Sequence, residues 1–209
     1  MKILIFGASG ATGHELVKKA LEQNHYVTAF VRDLSKLPLT HNNLKFVHGD
    51  VKDYAAVREG IKDQDAVLSV LGASTPFKKD PILIKGVKNI IRSMQELNVK
   101  RFIYLSFIGV SESRKDAGFV INHILAPLLH AAVADHEEKE NLIKASNLEW
   151  TIVRPPKLTN GSPKGTYRSG EDIKPKSLVP TLSRADLADF LLNQLTDKTF
   201  FGKAPRIMY

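Results

Sequence analysis

The feature that most constrains this chain is a glycine-rich turn set between an apolar run and a helical pattern. Lys2-Ile3-Leu4-Ile5-Phe6 reads as a buried strand. Gly7-Ala8-Ser9-Gly10-Ala11-Thr12-Gly13 follows at once, and Leu16, Val17, Ala20 and Leu21 then recur at helical spacing. A glycine triplet in that order of elements points to a phosphate-binding turn. Gly7 allows a tight exit from the strand, Gly10 lets the backbone approach a pyrophosphate, and Gly13 lets the helix pack on the sheet. The N–H groups at the helix start, Ala11 among them, then face the phosphates. Ser9 and Thr12 add hydroxyl donors. The competing reading is a structural turn that holds no ligand.

The rest of the chain alternates in the same manner. Strand-like runs at Tyr26 to Val31, Leu44 to Val47, Ala66 to Leu71, Arg101 to Leu105 and Trp150 to Val153 are separated by helical patterns. Helices are expected over Ala11 to Asn24, Asp53 to Gly60, Asp80 to Leu97, Ala131 to Ser146 and Ser183 to Leu195. Asp53 reads as a cap and Gly60 as a stop. Ser183-Arg184-Ala185-Asp186 resembles a capping box with aspartate in place of glutamate. This alternation implies a parallel sheet covered by helices on both faces, a doubly wound α/β fold of the Rossmann type. The 209 residues suit a single domain with a small C-terminal region on the substrate side. Residues 107–135 and 157–182 are expected as loops or a lid there.

Composition removes several function classes. The chain has no cysteine, which excludes a disulfide framework, a cysteine zinc site and a thiol nucleophile. His123, His130 and Asp135 lack metal-ligand spacing, so no metal is expected. The net charge of +8 favours anionic partners. The cations are scattered, which fits a basic surface and a phosphorylated cofactor better than nucleic acid. No run approaches the ~18 apolar residues of a membrane span, and the apolar run at the N-terminus is too short for a signal peptide. The expectation is a soluble, cytoplasmic monomer or homodimer that acts on a small-molecule acceptor.

The ends of the strands carry the specificity. The residue after the second strand is Arg32, with Lys36 one turn further. An acid at that place holds the ribose hydroxyls of NAD, whereas an arginine accommodates the 2′-phosphate of NADP. A guanidinium also suits bidentate phosphate contact. NADP(H) is therefore favoured over NAD(H), with Asp33 favouring NAD if the strand runs one residue longer. Asp50-Val51 follows the third strand, where Asp50 either accepts from an adenine amino group or serves as a turn residue. Leu71-Gly72-Ala73 ends the fourth strand, and a glycine there permits close approach of a cofactor.

These segments resemble a known family, the atypical short-chain dehydrogenase/reductases with NAD(P)-binding, NmrA-like domains. Within it the chain resembles the flavin reductase/biliverdin reductase B branch and its bacterial relatives. The resemblance rests on Phe6 to Gly13, Val31-Arg32-Asp33 with Leu37-Pro38, Gly49-Asp50-Val51, Asp65-Ala66-Val67 with Leu71-Gly72, Asp135-His136, and Val153-Arg154-Pro155-Pro156, all in the same order. It implies NADPH laid across the strand ends, with adenine and 2′-phosphate at Arg32, Lys36 and Asp50-Val51. The nicotinamide is implied near Ser106 and the Pro155-Pro156 loop. It also implies hydride transfer to flavins and, in some members, to linear tetrapyrroles. Lys157 stands where the biliverdin-reducing members have a histidine, which counts against tetrapyrrole reduction.

The chemistry left open is narrow. Four residues beyond Tyr26, Tyr54, Tyr104 and Tyr167 stand Phe30, Arg58, Ile108 and Glu171, so the Tyr-x-x-x-Lys pair of ordinary short-chain dehydrogenases is missing. Flavin or quinone reduction needs mainly orientation from the protein, because the nicotinamide carries the hydride. A flavin is thus a possible substrate. Ser106 is the expected catalytic positioning residue, or else a strand-end serine bound to backbone. Lys157 and His136 are substrate-side candidates, or else a solvated lysine and a surface histidine. The reading is an NADPH-dependent reductase of a flavin, quinone or similar flat acceptor. The alternative is a non-catalytic redox sensor of the NmrA-like kind. A sugar-nucleotide epimerase is disfavoured by the missing tyrosine.

Overall fold

Strand β1 (Lys2–Phe6) is buried from Ile3 onward and is paired along both edges. On one side lies β2 (Tyr26–Val31), in register from Lys2 opposite Tyr26 to Phe6 opposite Phe30. On the other lies β4 (Ala66–Ser69). In the computed structural model, which describes residues 1–72, 80–116 and 130–209, β3 (Leu44–His48), β5 (Arg101–Leu105) and β6 (Glu149–Val153) complete one sheet. The order is β3-β2-β1-β4-β5-β6, every pairing is parallel, and the order reverses direction between β1 and β4. This is the doubly wound Rossmann arrangement, whose ligands lie beyond the carboxyl ends of the strands at that switch point.

Alternation along β1 divides the core. Ile3 and Ile5 face the layer of α1 (Ala11–Glu22), where Leu16, Val17 and Ala20 are buried. Leu4 and Phe6 face the layer of α2 (Tyr54–Ile61) and α3 (Pro81–Glu96). The layer of α1 is completed by α5 (Arg184–Asn193), and that of α3 by α4 (His130–Lys144). Burying both faces of a parallel sheet is what its near-continuous apolar strands require.

Side chains fix the helix starts. Asp53 accepts from the N–H groups of Ala55 and Ala56 at 2.9 and 3.3 Å, and Asp80 from those of Ile82 and Leu83 at 3.0 and 3.3 Å. Pro81 takes the first position of α3, where no N–H is needed. The ends differ from the sequence reading. Gly60 does not stop α2; it lies within the helix, where a Cβ would come 3.2 Å from the Phe30 ring. α1 ends at Glu22 with Gln23 as its cap, and Asn24 just beyond turns into the left-handed region at φ 60°. Asn98 does the same after α3 at φ 55°.

Four short strands escape the sequence reading. The segment 157–182, expected as loops, contains β7 (Lys157–Thr159) and β8 (Arg168–Gly170). β7 pairs in parallel with β9 (Thr181–Ser183), and β8 pairs antiparallel with β10 (Arg206–Met208). Three-residue strands are too short to show a period. The C-terminal segment also runs beside β6, through Ile152 N–H to Lys203 O at 3.1 Å and Arg154 N–H to Pro205 O at 2.9 Å. Ser183 caps α5 as expected, with Asp186 N–H donating to its hydroxyl at 3.0 Å. Asp186 does not reach back to the Ser183 N–H. It accepts instead from the Lys164 and Gly165 N–H groups at 2.9 and 3.0 Å and pins that loop. Of the segment 107–135 expected as loops or a lid, residues 117–129 lie outside the described residues, as does Ala73.

One contact sets how closely α1 can approach the sheet. A Cβ on Gly13 would stand 2.0 Å from the Gly7 carbonyl oxygen and 2.7 Å from the Ala8 Cα. Both neighbours are backbone and cannot yield cheaply. Gly13→Ala is expected to cost about 3 kcal/mol or more, measured by urea unfolding against the parent chain.

Candidate functional site

The six strands end at one edge of the sheet, and the sequence-predicted site residues line it. Gly7 to Gly13 follow β1, Arg32 follows β2, Asp50 follows β3, Leu71 and Gly72 follow β4, Ser106 follows β5, and Pro155 and Pro156 follow β6.

The three glycines of the turn are required for different reasons. Gly7 has φ +81°, and a Cβ there would lie 2.8 Å from the Val70 carbonyl carbon. Gly13 is required by the contact described above. At Gly10 the nearest obstacle is the Gly7 oxygen at 3.4 Å, and φ is −79°. Neither backbone nor packing therefore demands glycine at position 10. A Cβ there would fill space in front of the α1 N-terminus. Gly10 caps that helix without a side chain, and the first turn holds no acid. Its leading N–H groups, the ones a helix cannot satisfy internally, face outward. A pyrophosphate fits this cradle through the backbone amides and the positive end of the helix dipole. Ser9 and Thr12 are half-buried beside it.

At the next strand end Arg32 and Asp33 differ in position and bonding. β2 stops at Val31, so Arg32 is the first residue beyond it, and it is exposed. Asp33 is committed to a local turn. Its Oδ1 accepts from the Ser35 N–H at 3.0 Å and the Ser35 hydroxyl at 2.6 Å. These bonds hold its carboxyl below the usual range. Lys36 sits 3.9 Å from the other Asp33 oxygen, with most of its side chain exposed. Asp50 serves as a turn residue, accepting from the Lys52 N–H at 3.0 Å. Val51 is buried against Gly86, and its carbonyl accepts from Asn89 Nδ2 at 2.9 Å. Gly72 has open space where a Cβ would stand.

Past the switch point the site becomes polar and buried. Ser106 is 5% exposed, and its N–H donates to Val153 O at 2.8 Å. Its Oγ lies 3.3 Å from His136 Nδ1 on α4. The structure thus joins two residues that the sequence offered separately. The imidazole packs edge-on to Phe107, with ring centres 4.9 Å apart. Burial first, and the charge of Lys139 second, push its pKa down to about 3. It is a neutral ring near pH 7. Tyr104 is fully buried nearby, and its hydroxyl has no hydrogen-bond partner among the described residues. Burial, with the charges of Glu140 and Asp135, raises its pKa well above the usual phenol value. Lys157 is exposed at the start of β7.

A charged framework that the sequence reading missed supports this side. Arg154, 1% exposed, makes a two-pronged pair with Glu140, 0% exposed, at 3.0 and 2.5 Å, and a third bond to Glu112 at 2.9 Å. Lys139 pairs with Asp135 at 2.5 Å, and Asp135 also accepts from the Asp80 N–H at 3.2 Å. Ser111, at φ 51°, is tied to Glu137 and Glu140. The available signal was an arginine ending an apolar strand and a Lys-Glu pair on the inner face of a helix.

A phosphate turn at the switch point of a six-stranded parallel sheet defines a dinucleotide-binding protein. The chain belongs to the NAD(P)H-binding family, whose pattern matches residues 7–198. It is 27% identical to YwnB of Bacillus subtilis over 202 residues, 93% of this chain and 92% of that protein. It is 26% identical over 160 residues to the photosystem II assembly factor Ycf39 of Synechocystis, covering 74% of this chain but only 44% of the factor. Among solved structures, a Veillonella parvula short-chain dehydrogenase/reductase in complex with NADP shares the fold at TM-score 0.83 and 19% identity, over 99% of this chain and 93% of that one. ChuY, an anaerobillin reductase from Escherichia coli O157:H7, does so at TM-score 0.80 and 18% identity, over 99% and 96%. No helix among the described residues is long and apolar enough to cross a membrane.

Two predictions follow from this geometry. Gly10→Val should leave folding stability within about 1 kcal/mol and abolish dinucleotide binding, as read by calorimetric titration beside a melting curve. The second concerns Glu112. Burial pushes its carboxyl up, but bonds from Arg154 and from backbone, with the charges of Arg154 and Lys144, outweigh that and hold it at about 2. A folded pKa below the unfolded value of about 4.3 gives stability that is present above that value and lost as pH falls toward 2. Solvent screening keeps the effect modest, because the side chain is 58% exposed. Between these pH values the denaturation midpoint of the parent should fall more steeply than that of Glu112→Gln.

Proposed function

We propose that this chain is an NADPH-dependent oxidoreductase that passes hydride to a flavin, quinone or similar flat conjugated acceptor. We place it with the flavin reductase/biliverdin reductase B branch of the NmrA-like short-chain dehydrogenase/reductases, as a cytoplasmic monomer or homodimer. The observation that carries this reading is the shared sheet edge, which holds both a phosphate cradle and an uncharged hydroxyl–imidazole pair, Ser106 buried and His136 half-buried. The dinucleotide, when bound, supplies the hydride. The chain's own part is to bind and orient. Gly10 and the α1 N-terminus take the pyrophosphate, and Ser9 and Thr12 flank it. Arg32 and Lys36 take the 2′-phosphate, with Asp50, Val51, Leu71 and Gly72 bordering the adenosine side. Pro155 and Pro156, both buried, wall the far end beside Ser106. Lys157 and His136 lie on the acceptor side.

The preference for NADPH rests on Arg32. It is exposed at the strand end, while the neighbouring acid Asp33 is spent on Ser35. ChuY, an anaerobillin reductase, supports a conjugated acceptor by its likeness in fold. A second reading, a binding protein that senses the dinucleotide without turnover, draws support from the likeness to the assembly factor Ycf39. Steady-state oxidation of NADPH and NADH with FMN, riboflavin, a quinone and biliverdin decides between them. Turnover supports the reductase, and tight binding without turnover on any acceptor supports the sensor. Arg32→Ala should weaken NADPH binding about 10- to 100-fold, as loss of hydrogen bonds to a charged group does, and weaken NADH far less. Equal losses would show that Arg32 does not meet the 2′-phosphate.

A further inference from the structure

We propose that Ser106 and His136 form a proton relay, and that the site is thereby built for acceptors whose oxygen must be protonated on reduction, a quinone or conjugated carbonyl, more than for a flavin. This rests on the reductase reading above. Two-electron reduction of a quinone delivers a hydride and leaves charge localised on oxygen, so one further proton is needed there. A flavin spreads the same charge over its ring and needs no such donor.

The geometry meets the demands of a relay. Ser106 is fixed at both ends of its reach, by its N–H to Val153 O at 2.8 Å and by Oγ to His136 Nδ1 at 3.3 Å. The loop after it is held by Ile108 N–H to Pro155 O at 2.9 Å. The imidazole is clamped between Phe107, 4.9 Å away edge-on, and Tyr104, 6.3 Å away. The charged groups that surround it are already paired. Lys139 is held by Asp135 at 2.5 Å, Glu140 by Arg154 at 2.5 Å, and Glu137 accepts from the Ser111 N–H at 3.2 Å. Tyr104 faces the ring from β5 and stays protonated. The ring is therefore uncharged, and a neutral imidazole can release a proton at one nitrogen while taking one at the other. It is half-buried, not sealed.

The balance is complete. The Ser106 O–H bond breaks as the acceptor O–H bond forms. The His136 Nδ1–H bond breaks as the Ser106 O–H is remade. Nε2 takes a proton from solvent water, the hydroxide left behind passes to bulk solvent, and the ring ends as the other neutral tautomer. No charge is left in the protein. His136 acts through Ser106 and does not itself meet the acceptor.

The test compares a naphthoquinone with FMN in the parent, Ser106→Ala, His136→Asn and His136→Gln. Asparagine mimics Nδ1 and keeps Ser106 in place, but it cannot pass a proton from one nitrogen to another. The ratio of quinone to FMN turnover should fall about 100-fold in all three variants, the range of positioned acid catalysis. A ratio restored by His136→Asn would reduce His136 to a support and overturn the relay. Equal losses on both acceptors would overturn it too. A parent chain that reduces neither acceptor would overturn the reductase reading itself. Nitrogen NMR of the parent supplies a readout independent of turnover. Near neutral pH, His136 should be uncharged with its proton on Nδ1. A charged ring, or a proton found on Nε2, would overturn the pair.

Discussion

The approach of α1 to the Gly7 carbonyl is the constraint on which the rest depends. Gly13 has no Cβ, and only for that reason can the helix start directly above the end of β1. Move α1 outward by the thickness of a methyl group and two things fail together. Leu16, Val17 and Ala20 lose their seat on Ile3 and Ile5, and the free N–H groups no longer point across the switch point. Core packing and phosphate recognition share one backbone contact. The same economy appears at Gly7, whose positive φ turns the chain out of β1 while its Cα hydrogen faces the Val70 carbonyl just after β4.

The far half of the site has a different foundation. There the sheet edge is fixed by ions, not glycines. Arg154 follows β6, Glu140 sits on α4, and Glu112 comes from the turn after β5. Buried pairs of this kind rarely add net stability over an apolar substitute, because desolvating both ions offsets their attraction. What they add is geometry. A guanidinium clasped by a carboxylate at two points admits one orientation, and here it fixes the rotation of α4 relative to β6. That rotation decides whether His136 meets Ser106. Asp135 extends the framework to the first turn of α3 through the Asp80 N–H.

What was legible in the sequence follows the same division. The glycine half could be read, because glycine at a strand-to-helix junction has a short list of physical causes. All six strands of the main sheet, the five long helices, the Asp53 cap and Arg32 as the strand-end residue were visible in local patterns. The ion half could not be read, because it joins residues distant in the chain. Glu112 and Arg154 are 42 positions apart, and Ser106 and His136 are 30 apart. Periodicity reports which face of an element is buried and says nothing about which polar groups meet there. The small strands failed for another reason. β7 to β10 are three residues each, and their pairing partners are defined only once the C-terminal segment has returned beside β6. Gly60 misled because a glycine late in a helical pattern reads as a stop, whereas here it clears space for Phe30.

The framework also explains the electrostatics of the Ser106 pocket. Four charged groups, Asp135, Lys139, Glu140 and Arg154, are at most 2% exposed and sit around it. Singly, each would impose a strong field on a neighbouring titratable group. Paired as Lys139 with Asp135 and Arg154 with Glu140, they largely cancel at longer range. What remains at His136 is desolvation and the nearer end of one dipole, Lys139, and both oppose a positive ring. Glu137, on the same helix, is turned to Ser111. A cationic ring would carry protons on both nitrogens and have none free to accept, whereas a neutral one keeps one acceptor nitrogen. Burial, with the nearer charge of Lys139 second, thus sets the protonation state of His136.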